Sequence, residues 1–236
     1  MRAAPGMWRA AGTPVMTRRE VLAGVMLAAG LAPSRPVLAV RKSIVIVSDA
    51  LETLGAYGLG VRLGAREAER TAMLLERDFR LVHTGPALAR VARRLEGSHQ
   101  GAVVAMSGTS TAPCQFVTES AEDVRAAVRT AAGASDVAVD DWHPGFRRYG
   151  AGELNERFLR TFGTPMTTEA WHGWVAVKAI TEAALRGDDI CAELAHLRFD
   201  GHKGRALTFD PTTRRLRHPV LLVRGEGDRI TIEVAP

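Results

Sequence analysis

Ser43-Ile44-Val45-Ile46-Val47, with Ser48-Asp49 directly behind it, decides how the chain is read. Four successive β-branched apolar residues are too few for a helix and show no alternating polar face, so they are read as a buried strand. A glycine-punctuated loop with Gly55, Gly58, Gly60 and Gly64 is expected next, then a helix rich in Ala, Glu and Arg that runs to about Arg77. Residues 79–83 read as a second strand and residues 86–96 as a helix with Pro86 near its first turn. Residues 101–106 form a third strand, followed by the Ser/Thr-rich loop Ser107-Gly108-Thr109-Ser110-Thr111. A helix over 122–132 and a short strand over 136–139 continue the alternation, which is the signature of an α/β fold with a parallel sheet flanked by helices.

The second half changes character. Ala151, Leu154, Phe158 and Phe162 recur at helical spacing, and Gly163 with Pro165 closes that helix. Ala170, Trp174, Val177, Ile180 and Ala184 mark the next, opened by Thr167 or Thr168 with Glu169 in its first turn and ended near Gly187. A short helix over 189–196 leads into strands near 206–209, 219–224 and 229–234, the last two joined as a hairpin by Gly225-Glu226-Gly227-Asp228.

Upstream of the first strand, Thr17-Arg18-Arg19-Glu20-Val21-Leu22 precedes an apolar small-residue run and then Val37-Leu38-Ala39. Charged region, short apolar region and small-residue cleavage site in that order define an export signal over residues 1–39, and the paired arginines fit the twin-arginine type. The apolar run, about 11 residues long, is too short to span a bilayer. A soluble, periplasmic mature chain is therefore expected, with Met16 a plausible true start.

The leader also accounts for the charge. The chain of 236 residues carries 31 Lys+Arg against 26 Asp+Glu, a net +5. Residues 1–39 hold five of the arginines and one acid, so the remainder is nearly neutral at +1. A nucleic-acid-binding function resting on charge is excluded. At 46% hydrophobic and 24% charged, the composition is that of a globular protein. In an oxidising compartment Cys114 and Cys191 could form a bridge or remain two buried small hydrophobes; the sequence leaves both open.

Ligands in open α/β sheets bind beyond the carboxyl ends of the strands. Ser48 and Asp49 follow the first strand, and Ser107, Gly108, Thr109, Ser110 and Thr111 follow the third. Hydroxyls and free N–H groups there can hold a carboxylate or other anion, and Asp49 can accept from an amine. The alternative is a turn whose hydroxyls cap the next segment. Neither a G-x-G-x-x-G nor a P-loop is present, so nucleotide binding is not expected. No H-x-H, H-E-x-x-H or G-x-S-x-G pattern occurs, so no metal site, no cofactor and no catalytic nucleophile is expected. His143 and His172 lie near tryptophans and read first as hydrogen-bonded histidines. Trp171 and Trp174, three apart on one helical face, read as core. Trp142 is the better candidate for a cleft wall.

Several blocks carry a resemblance. The opening strand and Gly64-Ala65-Arg66-Glu67-Ala68 resemble the start of type I periplasmic substrate-binding proteins of ABC importers, the branched-chain amino-acid receptor superfamily. Trp142-His143, Tyr149-Gly150-Ala151, Leu154-Asn155, Arg157-Phe158 and Pro165-Met166-Thr167 are similar to a subgroup encoded beside PQQ-dependent alcohol dehydrogenase systems. So are Trp174-Val175-Ala176-Val177-Lys178-Ala179-Ile180, Asp200-Gly201-His202-Lys203-Gly204 and Leu216-Arg217-His218-Pro219-Val220-Leu221-Leu222. The resemblance implies a first lobe over 40–133 and a reduced second lobe over 134–236 with a C-terminal β-hairpin. Residues 114–132 resemble the end of the family's first lobe, and by Asp141 the chain has reached the family's last third, so most of the second sheet is missing. It further implies non-covalent binding of a small polar or anionic solute, with an ABC permease and its ATPase as partners and a link to quinoprotein alcohol oxidation. The alternative is an accessory protein of a quinoprotein dehydrogenase that keeps the fold without the cleft.

Overall fold

The computed structural model describes residues 43–48, 55–83, 101–106, 116–133, 137–225 and 230–235. The leader, Asp49, the expected helix over 86–96, the loop 107–111, Cys114 and the turn residues 226–229 lie outside the described residues.

The β-branched run forms β1 (Ser43–Ser48), the middle strand of a parallel sheet ordered β2-β1-β3, with β2 at Asp78–His83 and β3 at Gly101–Met106. The strands are in register along their whole length: Ser43 faces Asp78 and Gly101 at one end, and Ser48 faces His83 and Met106 at the other.

The glycine-punctuated stretch is not a loop. Helix α1 (Gly55–Leu74) includes all four glycines, and its close packing against a second helix explains them. α4 (Thr168–Arg186) lies against it so tightly that a Cβ on Gly60 would sit 1.8 Å from the Ala170 carbonyl oxygen. One on Gly173 would sit 2.1 Å from the Tyr57 oxygen, and one on Gly64 would sit 2.9 Å from Val177 Cβ. Glycine normally weakens a helix interior; here it admits main chain against main chain.

α4 begins where the sequence placed it, with the Thr167 hydroxyl accepting from the Ala170 N–H, and it is buried on nearly every side. α2 (Glu122–Ala132) and α3 (Ala151–Phe162) both end at glycines in the left-handed region, Gly133 and Gly163. The short α5 (Ile190–His196) is capped by Asp189.

β4 (Val137–Asp140), read in the sequence as one more unit of the alternation, instead pairs antiparallel with β8 (Leu221–Arg224). β8 pairs antiparallel with β9 (Thr231–Val234), which is the expected C-terminal hairpin. A second antiparallel set joins β5 (Phe199–Asp200), β6 (Ala206–Phe209) and β7 (Leu216–Arg217). Strands of two residues leave no periodicity to read, and β5 and β7 escaped the sequence for that reason.

The main core gathers Trp142, Phe146, Phe158, Trp171, Trp174 and Leu207 among others. Trp142 stacks on Trp171 with centroids 5.6 Å apart, and its Nε1–H donates to Asn155 at 2.9 Å. Among the described residues no helix is long and apolar enough to cross a membrane.

Candidate functional site

Two places in this fold bear on a candidate site, and the first is the carboxyl end of the parallel sheet. β1 connects to β2 on one side of itself, and the chain then passes back across β1 to form β3 on the other. The β1–β3 pair is therefore the topological switch point, the place where an open α/β sheet leaves a crevice beyond its strands. The chain leaves β1 after Ser48 and β3 after Met106, and these two residues are register partners. Asp49 and Ser107 are thus the first residues beyond two neighbouring strands whose axes stand about 5 Å apart. The fold starts both sequence-predicted ligand segments from one edge. Asp49, Ser107, Gly108, Thr109, Ser110 and Thr111 themselves lie outside the described residues.

Among the described residues Trp142 contacts Trp171, Phe146 and Asn155. The ring is 1% exposed, sandwiched into the core against Trp171 and Phe146. A groove of ≈ 300 Å³ does open between α1 and β2, lined by Arg62, Ala65, Arg66, Glu69, Phe79 and Leu81. Phe79 and Leu81 belong to the body of β2, so this groove is on the flank of the sheet rather than beyond its carboxyl ends.

The second is a buried charged cluster that the sequence did not reveal. Lys203, in the loop between β5 and β6, is 0% exposed. An ammonium has three N–H donors, and three acceptors meet it: the Asp141 main-chain oxygen, the Pro219 oxygen at 2.8 Å and His218 Nδ1 at 3.0 Å. The Trp171 ring lies under it, 4.3 Å to the centroid, a cation–π contact. For Nδ1 to accept, His218 must be neutral with its proton on Nε2, which faces Ser120 Oγ at 3.2 Å. His172 Nε2–H donates to Asp141 Oδ2 at 2.9 Å, and the Ser120 main-chain N–H donates to the same oxygen at 3.1 Å. Arg125 Nη2 stands 3.5 Å from it.

The environment sets the charges. Burial pushes the Asp141 carboxyl up, but His172, His218 and the Ser120 donors outweigh it and hold the group well below the usual carboxylate range. Burial drives the Lys203 amine down to about 7 against the pull of Asp141 and Asp140. Burial, reinforced by the neighbouring Lys203, drives His218 down to about 3.

Asp141, His172 and His218 bring three potential ligand atoms within 4.8 Å of one another, a spacing a divalent ion could bridge. The charge balance argues for internal pairing instead, because Arg125 and Lys203 already face the single carboxylate. Among the described residues two buried side-chain atoms lack a protein partner, Arg125 Nε and Asp141 Oδ1, a donor and an acceptor on residues already in contact. The Ser120–His218 pair looks like a nucleophile and its base, yet the group behind the imidazole is the cation Lys203. A carboxylate there would support an imidazolium; an ammonium opposes it.

His172 alone of this cluster was singled out in the sequence, as a hydrogen-bonded histidine, and that is its place. Ser120, Asp141, Lys203 and His218 come from four further segments with no fixed spacing. The sequence reading placed Lys203 and His218 in its resemblance blocks without giving either a role.

No family model matches the chain, and neither does any curated protein. Among solved structures, a possible leucine/isoleucine/valine-binding protein from Rhodopirellula baltica SH 1 is similar at 13% identity and a TM-score of 0.54, over 86% of this chain and 98% of that one. An ABC transporter substrate-binding protein from Sphaerobacter thermophilus matches at 17% identity and a TM-score of 0.36. The Streptococcus pneumoniae branched-chain amino acid transporter substrate binding protein LivJ, solved in complex with isoleucine, matches at 12% and 0.36. This chain spans 58% and 60% of the lengths of those last two. The Rhodopirellula likeness, together with the strand order, defines the fold as α/β of the type I periplasmic-binding kind with a C-terminal hairpin. At such identities it defines the fold alone.

Proposed function

We propose that this chain is a solute-binding protein of an ABC-type import system, exported to the periplasm, with a second lobe shorter than in its longer structural relatives. The observation that carries the reading is the in-register pairing of Ser48 with Met106 at the β1–β3 switch point, which starts two small polar segments from the edge where such folds hold ligands. Hydroxyls of Ser48, Ser107, Thr109, Ser110 and Thr111 with main-chain N–H groups, including that of Gly108, suit a carboxylate, and Asp49 suits an amine. A small amino acid presents both, in keeping with the names of the structural neighbours. A permease and its ATPase are the corresponding partners. The link to PQQ-dependent alcohol oxidation rests on the sequence blocks over 141–222.

The accessory reading has one observation in its favour. α1 and α4 meet main chain to main chain at Gly60 and Gly173, and a pair packed that closely does not slide or hinge as lobe closure requires. Thermal denaturation of the mature protein against amino acids, short alcohols, aldehydes, carboxylates and PQQ separates the two. A true solute at about 100 times its Kd stabilises by about 2.7 kcal/mol. No response to any class favours the accessory role.

A further inference from the structure

The buried cluster joins five separate pieces of chain: the segment before α2 through Ser120, the end of β4 through Asp141, α4 through His172, the β5–β6 loop through Lys203 and the approach to β8 through His218. Segment 116–120 belongs to no helix or strand ladder. Among the described residues its other ties are one bridge, in which the Val117 N–H donates to the Arg214 oxygen and the Leu216 N–H to the Val117 oxygen, weak bonds from Arg215 to the Glu119 oxygen and from Arg125 to the Ser120 oxygen, and the Phe116 ring, which packs edge-to-face on Phe209 against the main core. Beyond the Phe116 ring, its polar attachment to the helical core runs through Asp141 and His218.

We propose that this cluster is an acid-sensitive fastener: proton uptake at His218 and Asp141 releases segment 116–120 and the approach to β8 from the helical core while the helices remain folded. The geometry supplies the reason. His218 Nδ1 can accept from Lys203 only while it carries no proton, so an added proton turns that hydrogen bond into two like charges 3.0 Å apart. A proton on Asp141 removes the anion opposite Arg125 and Lys203 and weakens the acceptor used by His172 and the Ser120 N–H.

The groups facing His218 act in both directions, and burial together with Lys203 prevails. Lys203 and His172 oppose a charge on His218, whereas Asp141 Oδ2, 3.9 Å from its Nε2, and the Pro219 oxygen favour one. His172 faces Asp141 from α4 and Glu169 from its own helix. Asp140 faces Lys203 from β4. The depressed proton affinities of His218 and Asp141 show the same preference for the deprotonated cluster.

Hydrogen exchange of the full chain, followed by mass spectrometry at pH 7 and pH 4 and corrected for intrinsic rates, tests the proposal. Peptides over 116–121 and 216–221 should lose protection together, by at least about tenfold more than peptides from α4, since each pH unit of differential proton affinity is tenfold in the opening equilibrium. Equal loss across the chain, or no local loss before global unfolding, overturns it. His218→Gln cannot take up the proton and should reduce the local opening at pH 4. Acid opening in that variant as large as in the parent also overturns the proposal, and should the variant not fold, the comparison of segments in the unaltered chain decides alone.

Discussion

Gly60 and Ala170 touch through their main chains: a methyl group added to Gly60 would stand 1.8 Å from the Ala170 carbonyl oxygen. That contact fixes the first long helix of the chain onto the helix at the centre of the core, and it makes the two halves of the sequence one packed unit.

The first prediction follows from it. Gly60→Ala gains helix propensity of at most about 1 kcal/mol, but the clash is with main chain and no rotamer relieves it. Net destabilisation of about 2–3 kcal/mol or more is expected in urea unfolding. Gly64→Ala, which meets Val177 Cβ at 2.9 Å and the Trp174 oxygen at 3.1 Å, should cost less because its overlap is much shallower than that at Gly60. Equal costs at the two positions would contradict the main-chain contact.

A second concerns Trp142. Asn155 accepts from its indole N–H at 2.9 Å and donates to the Phe146 oxygen at 3.0 Å. Asn155→Ala leaves a buried donor and a buried acceptor unpaired, at a cost of about 1–3 kcal/mol. The variant should unfold at lower denaturant with the slope unchanged. A stability equal to the parent's would show that the indole reaches solvent.

The pH dependence has a definite sign. Asp141 is held low, His218 falls to about 3 and Lys203 to about 7. In each case the folded chain binds fewer protons than the unfolded chain, so stability rises with pH. Asp141 contributes stability present above the ordinary carboxylate range and lost as pH falls through it. His218 costs stability as pH falls from about 6.5 toward 3, and Lys203 adds it as pH rises from about 7 toward 10.5. Each slope is at most about 1.4 kcal/mol per pH unit. Chemical denaturation from pH 4 to pH 10 should show a continuing rise above neutrality, which Lys203→Met should flatten. A maximum near pH 6 with a fall toward pH 9 would contradict the buried ammonium.

Cys191, near the start of α5, is disulfide-bonded, and Cys114 is the only other cysteine in the sequence. The unreduced mature protein should show no alkylation without reductant, and reduction should lower its stability by about 2–4 kcal/mol. Free thiol in the native, unreduced protein would contradict the bridge.

The parts of the fold that were legible are those carried by local pattern. The β-branched run of β1, the Thr167 cap of α4 and the Gly163 stop of α3 each announce themselves within a few residues. The glycines of α1 misled because a glycine that breaks a loop into turns and one that admits a neighbouring backbone look the same in one chain. The partner that distinguishes them, Ala170, is 110 positions away. The same distance hid the charged cluster, whose five segments meet only when β4 joins β8. The strand-end segments were read from composition, and of them the fold shows only that Ser48 and Met106, the residues just before them, are register partners.

Titration calorimetry of the mature protein with leucine, isoleucine, valine and small carboxylates, repeated with Asp49→Ala and Thr109→Ala, tests the central claim. The account predicts saturable one-to-one binding of at least one of these solutes, weakened tenfold or more in the variants. Absence of heat with every solute, from protein that unfolds cooperatively, or binding that both variants leave unchanged, would contradict it.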